Sequence, residues 1–97
     1  MKDYFLSPDK KELIRVLPSK GGKEFVFPDS VERIAKDAFD GNKVIEKLVI
    51  PSKIIGPYWF TNMKALKYVY FPDNVISIPE RCFAGCENLK EVHGSIN

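Results

Sequence analysis

Large apolar residues recur along this chain at fixed offsets from a phenylalanine. With Phe39, Phe60 and Phe83 as anchors, an isoleucine stands five positions earlier each time, at Ile34, Ile55 and Ile78. Six positions later stand Ile45, Leu66 and Leu89, and nine positions later Leu48, Val69 and Val92. Ile50-Pro51 and Phe71-Pro72 close the same frame, whereas the third anchor leads into Gly94-Ser95. The prolines Pro28, Pro51 and Pro72 step by 23 and 21 residues. Self-similarity at a period of roughly 20 to 50 residues marks a repeat architecture, in which each unit buries its apolar side only against its neighbours.

Leu48-Val49-Ile50 and Val69-Tyr70-Phe71 are rich in β-branched and aromatic residues and are closed by proline. They read as short strands with period-two alternation, Leu48 and Ile50 facing inward and Lys47 and Val49 outward. Proline at the end of a strand stops the ladder where its missing N–H does least harm. After the strand, Asp29 with Glu32 resembles a capping box, and Pro79 suits a first helical position. Short helical or 3-10 turns are therefore expected over 36–39 and 80–83, ended by Gly41 and Gly85. Near the N-terminus, Tyr4-Phe5-Leu6 and Leu13-Ile14-Arg15-Val16-Leu17 flank a Pro8-Asp9 turn and predict a β-hairpin. Ser19-Lys20-Gly21-Gly22-Lys23 reads as the linker into the first full unit.

The motif Phe27-Pro28-Asp29-Ser30-Val31, Ile34, Ala38-Phe39 and Leu66, with its return as Phe71-Pro72-Asp73-Asn74-Val75, Ile78, Cys82-Phe83-Ala84-Gly85-Cys86 and Leu89, resembles the BspA-type (Treponema-type) leucine-rich repeats. The resemblance covers residues 25–95. It implies an α/β fold: a strand-rich leucine-rich-repeat solenoid with a parallel sheet on its concave face, short helical or 3-10 segments, and here an N-terminal hairpin. Residues 1–97 form one domain on this reading, with 1–24 as hairpin cap and linker, 25–47, 48–68 and 69–91 as repeats, and 92–97 as a truncated unit. Family members are mostly surface or secreted proteins of host-associated bacteria and some protozoa, associated with adhesion and binding of proteins or host surfaces.

The middle unit breaks its own rule. Four residues separate Pro51 from Ile55, where six separate Pro28 from Ile34 and Pro72 from Ile78. The same unit has Trp59 where its neighbours have Ala38 and Cys82. The expectation is that the shortened turn opens space and the Trp59 indole fills it; the alternative is that the ring lies at the surface, which would make Tyr58-Trp59 a binding candidate.

Charge and composition narrow the chemistry. The net charge is +2, from 15 basic and 13 acidic residues interleaved along the chain, so no basic stripe for nucleic acid is visible. No apolar run approaches the ~20 residues of a membrane span, and the N-terminus lacks the long apolar stretch of a signal peptide. Cys82 and Cys86 stand four apart, but His93 is the one histidine and a metal site needs more ligands. They read as small apolar residues of the core. No phosphate loop, HExxH motif or nucleophile–histidine pairing appears, so neither enzymatic activity nor a cofactor is expected. Asn42, Asn62, Asn74 and Asn88 lack the Ser or Thr of a glycosylation acceptor.

If the strands form one parallel sheet, their outward residues align as Glu24, Lys47, Tyr68, Glu91 and as Val26, Val49, Tyr70, His93. Lys47, Val49, Tyr68, Tyr70, Glu91 and His93 are the candidate partner-binding residues. Exposed tyrosines give stiff, amphipathic contact area and are enriched at interfaces; the plainer alternative is that they only cover the sheet. The leading reading is a non-catalytic binding or adhesion module of a bacterial cell-surface or secreted protein, recognising a protein or glycan. A structural spacer within a longer repeat array and a small intracellular protein-interaction domain are the alternatives. The strand near Glu91-Val92-His93 would be an open edge. It predicts either a parent chain continuing past Asn97 or self-association through that edge. A chain naturally beginning at Met1 would be cytoplasmic.

Overall fold

Alternating inward and outward residues, closed by Pro28, Pro51 and Pro72 in three cases and by Gly94 in the fourth, hold each strand of the main sheet to two or three residues. The computed structural model describes residues 3–54, 56–73, 78 and 81–94. It contains β1 (Tyr4–Leu6), β2 (Glu12–Val16), β3 (Glu24–Phe25), β4 (Arg33–Ile34), β5 (Lys47–Val49), β6 (Tyr68–Tyr70) and β7 (Glu91–His93). The main sheet has the order β3-β5-β6-β7, all parallel. Its register runs without a slip: Glu24, Lys47, Tyr68 and Glu91 lie in one column, Phe25, Leu48, Val69 and Val92 in the next, and Val49, Tyr70 and His93 in a third. The middle column faces the core, where Phe25, Leu48 and Val69 are almost wholly buried.

One hydrogen-bond pattern repeats as each unit meets the next. Lys23 O accepts the N–H groups of Glu46 and Lys47, at 2.7 and 3.0 Å. Glu46 O accepts those of Lys67 and Tyr68, and Lys67 O those of Lys90 and Glu91, at 2.8 to 3.1 Å. Register is thus fixed just before β5, β6 and β7. A slip by one residue would turn the whole apolar column outward.

Tyr4–Leu6 and Glu12–Val16 form the antiparallel hairpin, with an irregularity between Phe5 and Leu6. The hairpin also does something the sequence did not announce: β2 pairs in parallel with β4, making a second sheet of order β1-β2-β4. Leu13 therefore lies beside Ile34, and both are buried. This pairing overturns the expected capping box. The N–H groups of Glu32 and Arg33 are donated to Lys11 O at 2.7 and 3.0 Å, so the segment after Asp29 becomes a strand rather than a helix start.

The expected helical or 3-10 segments are replaced by separate turns, and the described residues contain no helix. Bonds from Ala38 to Ala35, Asp40 to Asp37 and Asn42 to Phe39 close turns one at a time. Such short pieces gain too few bonds to offset helix nucleation. A left-handed residue then follows each anchor phenylalanine by two: Gly41 (φ 77°), Asn62 (φ 56°) and Gly85 (φ 78°). Glycine adopts this conformation without a Cβ clash, and asparagine tolerates it. The second segment is described only from Arg81, where it is again turns; Pro79 and Glu80 lie outside the described residues, as do Ile55, Asn74 and Val75.

The core is a line of aromatic rings. Phe25 meets Phe39 edge-on at 5.5 Å, Phe39 meets Phe60 at 5.5 Å, and Phe60 stacks on Phe83 at 5.8 Å. Tyr4 of the hairpin packs edge-on against Phe25 at 5.9 Å, joining the hairpin to the first unit. Asn42, wholly buried, bridges units: its Nδ2 donates to Leu17 O and Lys20 O, and its Oδ1 accepts from the N–H groups of Val44 and Ile45.

The shortened middle unit is filled by Tyr58, not by Trp59. Tyr58 is 2% exposed and its hydroxyl donates to Ile54 O at 3.0 Å, whereas Trp59 is only half-buried. Tyr58 also packs on Phe71 at 5.0 Å. The reason is alternation: Phe60 must face inward, so Tyr58 shares its side and Trp59 points the other way. A tyrosine is also the better filler, because its ring is apolar while its hydroxyl reaches a backbone acceptor.

Tyr58→Ala is expected to lose about 3 kcal/mol or more in chemical denaturation, and Tyr58→Phe about 1 kcal/mol from the lost hydroxyl bond. Trp59→Ala should cost less than Tyr58→Ala; the reverse order would return the indole to the core. Asn42→Leu should cost on the order of 3 kcal/mol, because it strands buried backbone N–H and C=O groups without partners. A loss under ~0.5 kcal/mol in the same assay would mean the Asn42 bonds are replaced by water.

Candidate functional site

The outward face of the four-stranded sheet carries the candidate residues. Pleating alone puts Lys47, Val49, Tyr68, Tyr70, Glu91 and His93 on one side, and the register brings them into contact across strands. The Lys47 ammonium lies 3.6 Å from Glu24 Oε1 and 5.2 Å from the centre of the Tyr70 ring. The Tyr70 ring stacks on His93 at 4.7 Å with planes only 6° apart. His93 Nε2 lies 3.0 Å from Glu91 Oε1. Tyr68 stands between Lys47 and Glu91 in the first column and is half-buried. Val49 is exposed at the margin, and Val26, beyond the end of β3, is 77% exposed.

These contacts form one chain from Glu24 through Lys47, Tyr70 and His93 to Glu91. Each link is weak. Exposed ion pairs contribute about 0–1 kcal/mol, a surface cation–π contact about 0.5–1 kcal/mol, and an aromatic pair about 0.5–1.5 kcal/mol. Their effect is to hold two flat rings and an ammonium in one orientation before anything arrives. A partner that uses them loses little side-chain entropy on binding. The sheet beneath is backed by buried Leu48 and Val69, so the platform sits on rigid strands.

Chemically the face offers the phenol rings of Tyr68 and Tyr70, one ammonium, two carboxylates and an imidazole. His93 contacts Glu91 and Tyr70, neither of which is a serine or cysteine nucleophile. Among the described residues, no group of three His, Cys, Asp or Glu side chains could hold a metal ion.

The cysteines lie elsewhere. Both are free. Cys82 is wholly buried beside Phe60, and Cys86 is half-buried with its thiol 2.8 Å from Phe60 O. Burial pushes the Cys82 thiol up to about 12 and raises Tyr58 and Cys86 as well. A thiol with so high a pKa is a poor nucleophile.

Sequence reasoning did not find an apolar groove on the hairpin. Tyr4, Phe5, Leu6, Pro8 and Leu17 line a space of about 650 Å³ there. Phe5 in its wall is 53% exposed. The signal was present as Phe5 alternating with two half-buried neighbours in a strand that pairs on one side only.

The raised thiol gives a pH prediction. Below pH 9 the Cys82 thiol is protonated in both the folded and unfolded chain, and its contribution is intact. Between pH 9 and 12 the unfolded chain ionises first, so stability falls as pH rises through that window. Thermal midpoints measured from pH 8 to 12 should decline, and Cys82→Ala should flatten part of the slope, Tyr58 accounting for some of the rest. An unchanged slope in that variant would place the thiol in contact with water.

A comparison with protein-family models returns one described as a BspA type leucine rich repeat region, matching residues 19–97 with six copies. No curated protein and no solved structure matches the chain.

Proposed function

Because the chain belongs to the BspA-type leucine-rich repeat family, we propose that it is a non-catalytic recognition module of a cell-surface or secreted bacterial protein. On this reading the strands form the concave wall of a short solenoid, with the repeats at 25–47, 48–68 and 69–91. Lys47, Val49, Tyr68, Tyr70, Glu91 and His93 make the contact surface for a protein or a glycan. The observation that carries the proposal is the pre-ordered stack of Tyr70 on His93 with Lys47 over the same ring. A sheet face that needed only to be covered would gain as much from β-branched residues, which hold no charge and order no polar groups.

No helix among the described residues is long and apolar enough to cross a membrane.

The test is binding of the protein to arrays of immobilised extracellular proteins and glycans, with a Tyr68→Ala/Tyr70→Ala variant run in parallel. Both rings are only half-buried, so the variant should keep its circular dichroism and lose no more than about 1–2 kcal/mol of stability. Loss of at least ~90% of the signal on proteins and uncharged glycans is expected, as for removal of central aromatic anchors. Retained affinity in a folded double variant would exclude the sheet face as the contact surface.

A further inference from the structure

The charges that alternate along the chain are sorted in space. In a parallel sheet every strand starts at the same end, so the four residues before each strand share one flank of the molecule. Those segments are 20–23, 43–46, 64–67 and 87–90. They carry Lys20, Lys23, Lys43, Lys64, Lys67 and Lys90 against Glu46 and Glu87. That is a surplus of four positive charges on one flank of a chain whose net charge is +2. The opposite end, where the strands finish at Phe27-Pro28-Asp29, Pro51-Ser52-Lys53 and Pro72-Asp73, has no such surplus.

Two rows run along this flank. Lys23, Glu46, Lys67 and Lys90 are consecutive rungs of the backbone ladder, each carbonyl accepting the N–H of the next. The second row, one turn earlier, has Lys43 bonded to Pro18 O, Lys64 to Asn42 O, and Glu87 facing the Lys64 ammonium at 3.1 Å. Neighbouring rungs are about 4.8 Å apart, the spacing of strands in a sheet. Lys64 and Lys67 have acidic partners, Glu87 and Glu46. Lys20, Lys23, Lys43 and Lys90 are exposed and form no ion pair among the described residues. The carboxylate of Asp40, one turn back, is already accepting from Thr61 and Asn62.

We propose that this lysine-lined flank is a second interaction surface, distinct from the sheet face, and that it binds an anionic glycan whose sulfate or carboxylate groups repeat along the chain. A surplus of positive charge spread along one flank, with four lysines not engaged in ion pairs among the described residues, fits a ligand whose negative charges repeat along its length. Lysine supplies mobile point charges, which suit scattered acidic groups; the planar fork that reads phosphates and base edges in pairs belongs to arginine. The four segments contain no arginine and no aromatic residue on which a base could stack. An acidic polysaccharide therefore fits this flank better than a nucleic acid does.

The experiment is retention and calorimetry of the whole protein with four probes: heparin fragments, hyaluronan, neutral dextran and single-stranded oligo(dT). Heparin or hyaluronan should bind at low salt, with affinity falling at least tenfold between about 50 and 200 mM salt, as polyanion contacts through several lysines require. Binding of either supports the proposal, and the preference tells sulfate from carboxylate. Lys20→Gln/Lys43→Gln/Lys90→Gln should weaken it by at least about tenfold, and the corresponding triple Arg variant should keep it. The charge-matched control Lys11→Gln/Lys36→Gln/Arg81→Gln should change it less than about twofold. Equal loss in the control, tighter binding of oligo(dT) than of either glycan, or no glycan binding at low salt would overturn the proposal. Tyr68→Ala/Tyr70→Ala should leave glycan affinity at the flank unchanged, so the two surfaces fail or stand separately.

Discussion

The structure depends on one constraint: strands of two or three residues must stay in register along the whole sheet. A strand that short has too few bonds to hold itself. It is fixed instead by the repeated bond just before it, in which one carbonyl takes two N–H groups of the next unit, and by the inward residue that lands on its equivalent. Phe25, Leu48 and Val69 meet in this way, and the aromatic line from Phe25 to Phe83 adds weight behind them. The hairpin and the buried Asn42 act at the N-terminal end. There β2 supplies a strand for β4, and Asn42 satisfies backbone groups of two adjoining units.

The outward face is a consequence of the same constraint. Side chains that are one repeat apart in sequence become neighbours across strands. Tyr70 stacks on His93 because they occupy the same register position, 23 residues apart. The basic flank arises likewise, because the segments before the strands carry lysine more often than glutamate. Neither surface needs a fold of its own. Substitutions at outward positions of such a repeat can change what is displayed while the inward columns stay as they are.

Much of this was legible in the chain. The anchor phenylalanines, the prolines that end strands and the alternation around Leu48 and Val69 fix which residues face inward, so the two outward columns could be written down from sequence. What could not be read was set by competition between nearby groups. The capping box at Asp29 and Glu32 is a local signal, and it lost to the hairpin's second strand, far back in the sequence, where Lys11 just before β2 offered its carbonyl. The choice of Tyr58 over Trp59 was decided by the parity of the residue next to Phe60, which size alone concealed. The lysine flank was hidden because interleaved charges look neutral along the chain and separate only when the strands align.

The most direct measurement of the central claim is a through-space NMR experiment on the Tyr70 and His93 rings. In-register pairing places the two rings face to face at 4.7 Å, so strong cross-peaks between their ring protons are expected, together with methyl contacts between Val69 and Val92. Cross-peaks from Tyr70 to Val92 or to the buried rings of Phe60 and Phe71, without the Tyr70–His93 pair, would show a shifted register and contradict the account.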